Sequence, residues 1–100
     1  MNASLALQIL PETLDDEKTI AVVDEVIAYM KSTGLHCYVG PCETSMEGDL
    51  DELVEILKNC MHIAGKANGK GIYEFIKMTY RPEGEVLTIE KKVTKHHLDD

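Results

Sequence analysis

Residues 34–49 read Gly34-Leu-His-Cys-Tyr-Val-Gly-Pro-Cys-Glu-Thr-Ser-Met-Glu-Gly-Asp49. Two short strand signals, Leu35 to Val39 and Glu43 to Gly48, flank Gly40-Pro41, a residue pair that favours chain reversal. A hairpin is expected here, and because helical patterns lie on both sides of it, it decides how the two halves of the chain join. The stretch also carries a local contradiction. Glu is a poor strand former and Gly weakens a strand, yet Glu47 and Gly48 end the second strand. A residue choice that opposes its own secondary structure marks a candidate site.

Upstream, residues 3–10 alternate, with Leu5, Leu7 and Ile9 on one face and Ala6, Gln8 and Leu10 on the other. Both faces are largely apolar, so the strand is expected to be covered on both sides, and Pro11 ends it. Asp15, Asp16 and Glu17 supply the acidic first turn that a helix dipole favours. Ile20, Val23, Ile27 and Met30, with Val26 alongside, predict one buried stripe of a helix over 16–33, closed by Gly34.

Downstream, Asp49 with Glu52 reads as the cap of a second helix. Its stripe is Leu50, Leu53, Leu57, Cys60 and Ala64, widened by Val54, Ile56 and Met61. The glycine-rich run 65–71 stops it; following a helix and lacking a Lys-Ser/Thr ending, that run is no phosphate loop. Residues 72–81 predict a fourth strand, with Ile72, Glu74, Ile76, Met78 and Tyr80 on one face and Tyr73, Phe75, Lys77, Thr79 and Arg81 on the other. After the Pro82-Glu83-Gly84 turn, Thr88 caps a short last helix through His96, and residues 96–100 are expected to fray.

Strand, helix, strand, twice over, with a hairpin between the halves, predicts one α+β domain over residues 1–100. It is the ferredoxin-like β-α-β-β-α-β sandwich, a four-stranded antiparallel sheet with both long helices on one face, here extended by a short C-terminal helix. The opposite face carries too much Leu, Ile, Phe and Tyr for water, because contiguous apolar patches mark interfaces. A sheet-to-sheet dimer is expected, and a second pairing would make a tetramer.

Ten basic against eighteen acidic residues give a formal charge of −8, which argues against nucleic acid and anionic membranes as partners. Lys91, Lys92 and Lys95, beside Glu90, read as a solvated helix face. No run approaches the ~20 apolar residues of a membrane span, and the amino terminus lacks a secretion signal, so a cytoplasmic protein is expected. Three irregularly spaced cysteines, Cys37, Cys42 and Cys60, make no disulfide framework. Cys37 and Cys42 could face each other across the hairpin, but without a Cys-x-x-Cys pair or a spaced histidine they make a poor metal site.

Residues 38–48, Tyr-Val-Gly-Pro-Cys-Glu-Thr-Ser-Met-Glu-Gly, resemble the Gly-Pro-x-x-Thr-x-x-Glu-Gly signature of small thiamine-binding proteins, the YkoF-like group. The Leu10-Pro11 ending of the first strand and the tail Leu-Thr-Ile-Glu-Lys-Lys-Val, residues 87–93, match as well. The resemblance implies a ferredoxin-like protein, oligomeric through its sheets, that binds thiamine or its hydroxymethylpyrimidine part without transforming it and needs no cofactor. It places Thr44, Glu47 and Gly48 on the signature positions. Gln8, on the first strand, matches no signature position and is a candidate by location alone.

The chemistry suits those residue types. An aminopyrimidine has ring nitrogens that accept and an amine that donates, so Glu47 can take the amine or share a proton with the ring, and Thr44 can do either. Gly48 would let backbone approach a flat ligand. The thiazolium of thiamine is a cation, suited to an aromatic face such as Tyr38 and to an acidic protein. Thr44 and Glu47 nevertheless point to opposite faces of a regular strand, so sharing one ligand requires a bulge near Gly48 or a site at the strand end. The competing readings are structural: Glu47 pairing a lysine or capping the second helix, in a regulatory or assembly module whose sheet face binds protein. No Ser-His-Asp order or activated cysteine points to an enzyme.

Overall fold

The computed structural model describes residues 1–98; Asp99 and Asp100, the end of the expected frayed tail, lie outside the described residues. Its elements are β1 (Ala3–Pro11), α1 (Asp16–Ser32), β2 (Cys37–Val39), β3 (Thr44–Gly48), α2 (Leu50–Asn68), β4 (Ile72–Tyr80) and α3 (Ile89–Val93), which runs into a 3-10 turn at Thr94–His96. The sheet order is β2-β3-β1-β4 with every neighbouring pair antiparallel. This is the expected ferredoxin-like arrangement, with hairpin, helices and strands in the predicted order.

Alternation along β1 sets the two faces. Ala3, Leu5, Leu7 and Ile9 are buried, and they pack with Val22, Val26 and Met30 of α1, Met46 of β3, and Leu53, Ile56, Cys60 and Ala64 of α2. The buried row of α1 is thus Val22-Val26-Met30, at strict four-residue spacing, with Val23 half-buried beside it. Ile20, assigned to the stripe from sequence, is 60% exposed. Val54 and Met61 likewise lie outside the buried row of α2. A stripe read from spacing alone is uncertain by about one residue, or 100° of rotation, and only packing fixes it.

Caps follow the same division between local and distant partners. Asp15, read from sequence as part of the acidic first turn, is the N-cap of α1 and accepts from the amides of Glu17 and Lys18. Asp49 holds the N-cap position of α2, but its side chain makes no cap hydrogen bond; the Leu50 amide is instead taken by Oδ1 of Asn2, at 2.9 Å. That contact ties the start of α2 to the start of β1. At the Gly40-Pro41 turn a Cβ on Gly40 would lie 2.9 Å from the Glu43 carbonyl oxygen, so the close hairpin requires glycine.

On the helix side β4 places Glu74 opposite Ile9, where both carboxylate oxygens are enclosed without a partner. Burial pushes the Glu74 carboxyl above the ordinary glutamate range. Burial first, then the nearby Glu74 and Cys37, push the Cys60 thiol up to about 12, which keeps it protonated and inert. A carboxyl that is harder to ionise folded than unfolded contributes stability fully below its unfolded pKa. That contribution is lost as pH rises through the raised folded value. Glu74→Gln should therefore be more stable than wild type at pH 8 and indistinguishable from it below about pH 4, where both forms are neutral. Urea unfolding at the two pH values checks it; equal stability at pH 8 would count against the account.

Candidate functional site

The face of the sheet away from α1 and α2 is formed by the other half of each alternation. Register places Tyr38, Ser45, Ala6 and Lys77 side by side in one row across all four strands, and Glu47, Ser4 and Thr79 in the next. The centre of this face is therefore floored by short side chains, Ser4, Ala6 and Ser45, between taller ones at the edges. Three strand spacings of ~4.8 Å put Tyr38 and Lys77 roughly 14 Å apart along the row.

Over this floor lies α3. The chain returns from β4 around the start of β1, held by Arg81 N donating to the Asn2 carbonyl and Val86 N to that of Met1. Thr88 caps α3 by accepting from the Lys91 amide, as its sequence position predicts. Glu47 projects from the sheet under the helix, is 6% exposed, and accepts a 2.9 Å hydrogen bond from the Ile89 amide at the helix start. Ile89 and, three residues before it, Val86 are buried as well.

Between floor and helix is a cavity of about 530 Å³. Ser4, Ala6, Ser45, Lys77 and Thr79 line it from the sheet, with Tyr38 and the Gly40–Glu43 turn at one side and Ile89, Lys92 and Val93 above. The volume falls in the ~300–1,000 Å³ range of small-molecule sites. Hydroxyl groups of serine, threonine and tyrosine offer donors and acceptors to a flat heterocycle laid on the floor. The Tyr38 hydroxyl also lies 3.0 Å from Nε2 of His97, which ties the tail to β2.

Of the residues singled out from sequence, only Tyr38 lines this cavity. Glu47 lies beneath α3, with one carboxylate oxygen already bonded. Thr44 is buried on the opposite, helix-side face and borders a smaller cavity of about 190 Å³ beside α1. The β1–β3 register runs unbroken from Ala3↔Gly48 to Leu7↔Thr44, so no bulge brings Thr44 and Glu47 to one face. Gly48 faces Leu35, whose Cδ1 would lie 2.9 Å from an added Cβ, so the glycine makes room for core packing. Gln8 stands opposite Phe75 on the open face and borders the smaller cavity.

The residues missed were Ser4, Ala6, Ser45, Lys77 and Thr79. Short side chains at alternate positions of neighbouring strands were the available signal, and it acquires meaning only once register aligns them. Cys37 pairs in register with Met46, and Cys42 is exposed in the turn; all three cysteines are free. Among the described residues no group of three or more His, Cys, Asp or Glu could hold a metal ion, and no helix is long and apolar enough to cross a membrane.

The fold is shared by solved structures. A Streptococcus pneumoniae protein matches at 38% identity and a TM-score of 0.79, covering 94% of this chain and 99% of that one. A domain of unknown function, DUF77, from Bacillus cereus matches at 31% and 0.81, covering 96% and 90%. A Thermotoga maritima protein, assigned provisionally to thiamine biosynthesis or salvage, matches at 24% and 0.82, covering 96% and 99%. A UPF0045 protein of Clostridium perfringens is 39% identical over 93 residues, 93% of this chain and 95% of that protein. The family model for thiamine-binding proteins matches residues 5–97, and the chain therefore belongs to the thiamine-binding protein family.

Proposed function

We propose that this chain binds hydroxymethylpyrimidine, free or as part of thiamine, on the open face of its sheet, without transforming it and without a cofactor. The observation that carries the reading is the 530 Å³ cavity floored by Ser4, Ala6 and Ser45. A flat ring fits against short side chains, the hydroxyls meet its polar edge, and Tyr38 offers an aromatic wall. Family membership, and a relative assigned provisionally to thiamine biosynthesis or salvage, support that ligand class. The role is that of a carrier, scavenger or sensor in the cytoplasm.

Titration calorimetry with hydroxymethylpyrimidine and with thiamine tests this. Saturable binding with a Kd on the order of 1–10 μM is expected, a typical yield for a small ligand. Ser45→Phe, which suits a strand but fills the floor, should weaken it by about 100-fold or more. Absence of heat with either ligand would overturn the reading and leave the open face as a protein-binding surface.

A second reading concerns the same face further along β4. Leu10, Tyr73 and Phe75 are 39%, 59% and 56% exposed and adjacent in register. They support self-association through the sheet, a dimer or a tetramer, alongside ligand binding.

A further inference from the structure

The roof of the large cavity is rooted at one end and lightly held at the other. At the root, Val86 and Ile89 are buried, and the Ile89 amide is bonded at 2.9 Å to the buried Glu47 carboxylate. Beyond Ile89 the chain surfaces: through Leu98 every residue is exposed except Val93, which is half-buried. At the far end Nε2 of His97 lies 3.0 Å from the Tyr38 hydroxyl, with the ring centres 6.0 Å apart, in an exposed contact. Residues 89–97 therefore cross the open face as a strap. It runs from β3, which carries Glu47, to the edge strand β2, which carries Tyr38.

Under the middle of the strap is a hollow. Lys92 and Val93 border the 530 Å³ cavity on one side, and Ser4, Ala6 and Ser45 on the other. A segment that only covered the sheet would be packed onto it, because unfilled space lowers stability in proportion to its volume. The helix within the strap has five residues and little stability of its own. An exposed hydrogen bond such as Tyr38–His97 shifts an equilibrium by about 2–12-fold, enough to hold the strap down and too little to lock it. Resting on the pyrimidine reading above, we propose that residues 89–97 are a hinged lid. They turn about the Glu47–Ile89 root, open at the His97 end to admit the ligand, and close over it when His97 returns to Tyr38. Tyr38 both walls the cavity and receives the latch, while His97, outside the lining, is a positioning residue.

Hydrogen exchange and binding kinetics test the lid on wild type, Tyr38→Phe and His97→Phe, each variant keeping a ring but not the hydrogen bond. The amides of Lys92, Thr94 and His97 are bonded within the strap, and a helix this short frays once it leaves the sheet. In ligand-free protein they should exchange about 2–12-fold faster in both variants, while the Ile89 amide keeps its wild-type rate. Association and dissociation rates of hydroxymethylpyrimidine and thiamine, read from NMR line shapes, should rise together by a similar factor. Kd should then stay within about twofold, because the latch is made equally in the free and occupied closed states. Unchanged exchange and unchanged rates in both variants would overturn the lid. So would a higher Kd in Tyr38→Phe alone with association unchanged, the mark of a hydroxyl that touches the ligand directly. Either result would leave the pyrimidine site standing. No binding of either ligand would remove that reading and the lid's function with it.

Discussion

Replacing Glu47 by alanine should lower stability by about 1–3 kcal/mol and abolish pyrimidine binding, whereas Glu47→Gln should restore most of both. The carboxylate is buried and accepts from the Ile89 amide, the first residue of α3. Alanine leaves that amide enclosed without an acceptor, while the glutamine side-chain oxygen can take the same hydrogen bond. A helix of five residues has no stability of its own, because nucleation costs more than so few backbone bonds return. It is held by the Thr88 cap, by burial of Val86 and Ile89, and by Glu47. Releasing it removes Ile89, Lys92 and Val93 from the cavity wall. The thermal midpoint should fall by about 4–8 °C per kcal/mol for a domain of this size. Scanning calorimetry and ligand titration on both variants read the two effects separately. If glutamine keeps the stability but loses the ligand, the charge of Glu47 touches the ligand directly and the positioning account fails.

Glu47 also shows where sequence reasoning stops. The residue was conspicuous because its type opposes its strand, and the strand was correctly placed. Its hydrogen-bond partner lies 42 residues away on α3, so no local spacing pairs the two. Capping of the second helix, the nearest structural explanation in sequence, is carried instead by Asn2, 48 residues before the amide it accepts. Local patterns were legible: the strands, the helices, the acidic start of α1, the Thr88 cap and the Gly-Pro turn follow from residues within a few positions of each other. The parity argument that Thr44 and Glu47 face opposite ways was also sound, since the ladder runs without a bulge.

What was not legible depends on register and on layers. Ser4, Ala6 and Ser45 are unremarkable singly, and become a floor only when β1 and β3 align them. Lys92 read as part of a solvated helix face, an accurate description of its exposure, but the helix it belongs to lies over the sheet. Helix rotation belongs to the same class: Val22 rather than Ile20 meets the core because of how α1 sits on β1 and α2.

The self-association proposed through the open face should be lost in Phe75→Glu, which should sediment as a monomer with an unchanged fold. Phe75 and Tyr73 stand on the open face of β4 beside Gln8 and Leu10, beyond the cavity, and more than half of each is exposed. β4 is also an edge strand of nine residues, and Ile76, Met78 and Tyr80 on its other face are 40%, 36% and 51% exposed. A long edge with apolar residues on both faces is the surface that most readily takes another strand or sheet. Two copies at −8 each repel, so association has to come from apolar burial. Raising the salt from about 0.05 to 0.5 M should therefore tighten it, because screening removes repulsion. In a two-fold contact one Phe75→Glu change puts a carboxylate into the patch twice, once from each copy. Position 75 is exposed in the isolated chain, so circular dichroism should not change. Sedimentation of wild type and variant at micromolar concentration decides the matter. A wild type that sediments as a monomer, or a variant that stays associated, would remove the sheet face from the assembly.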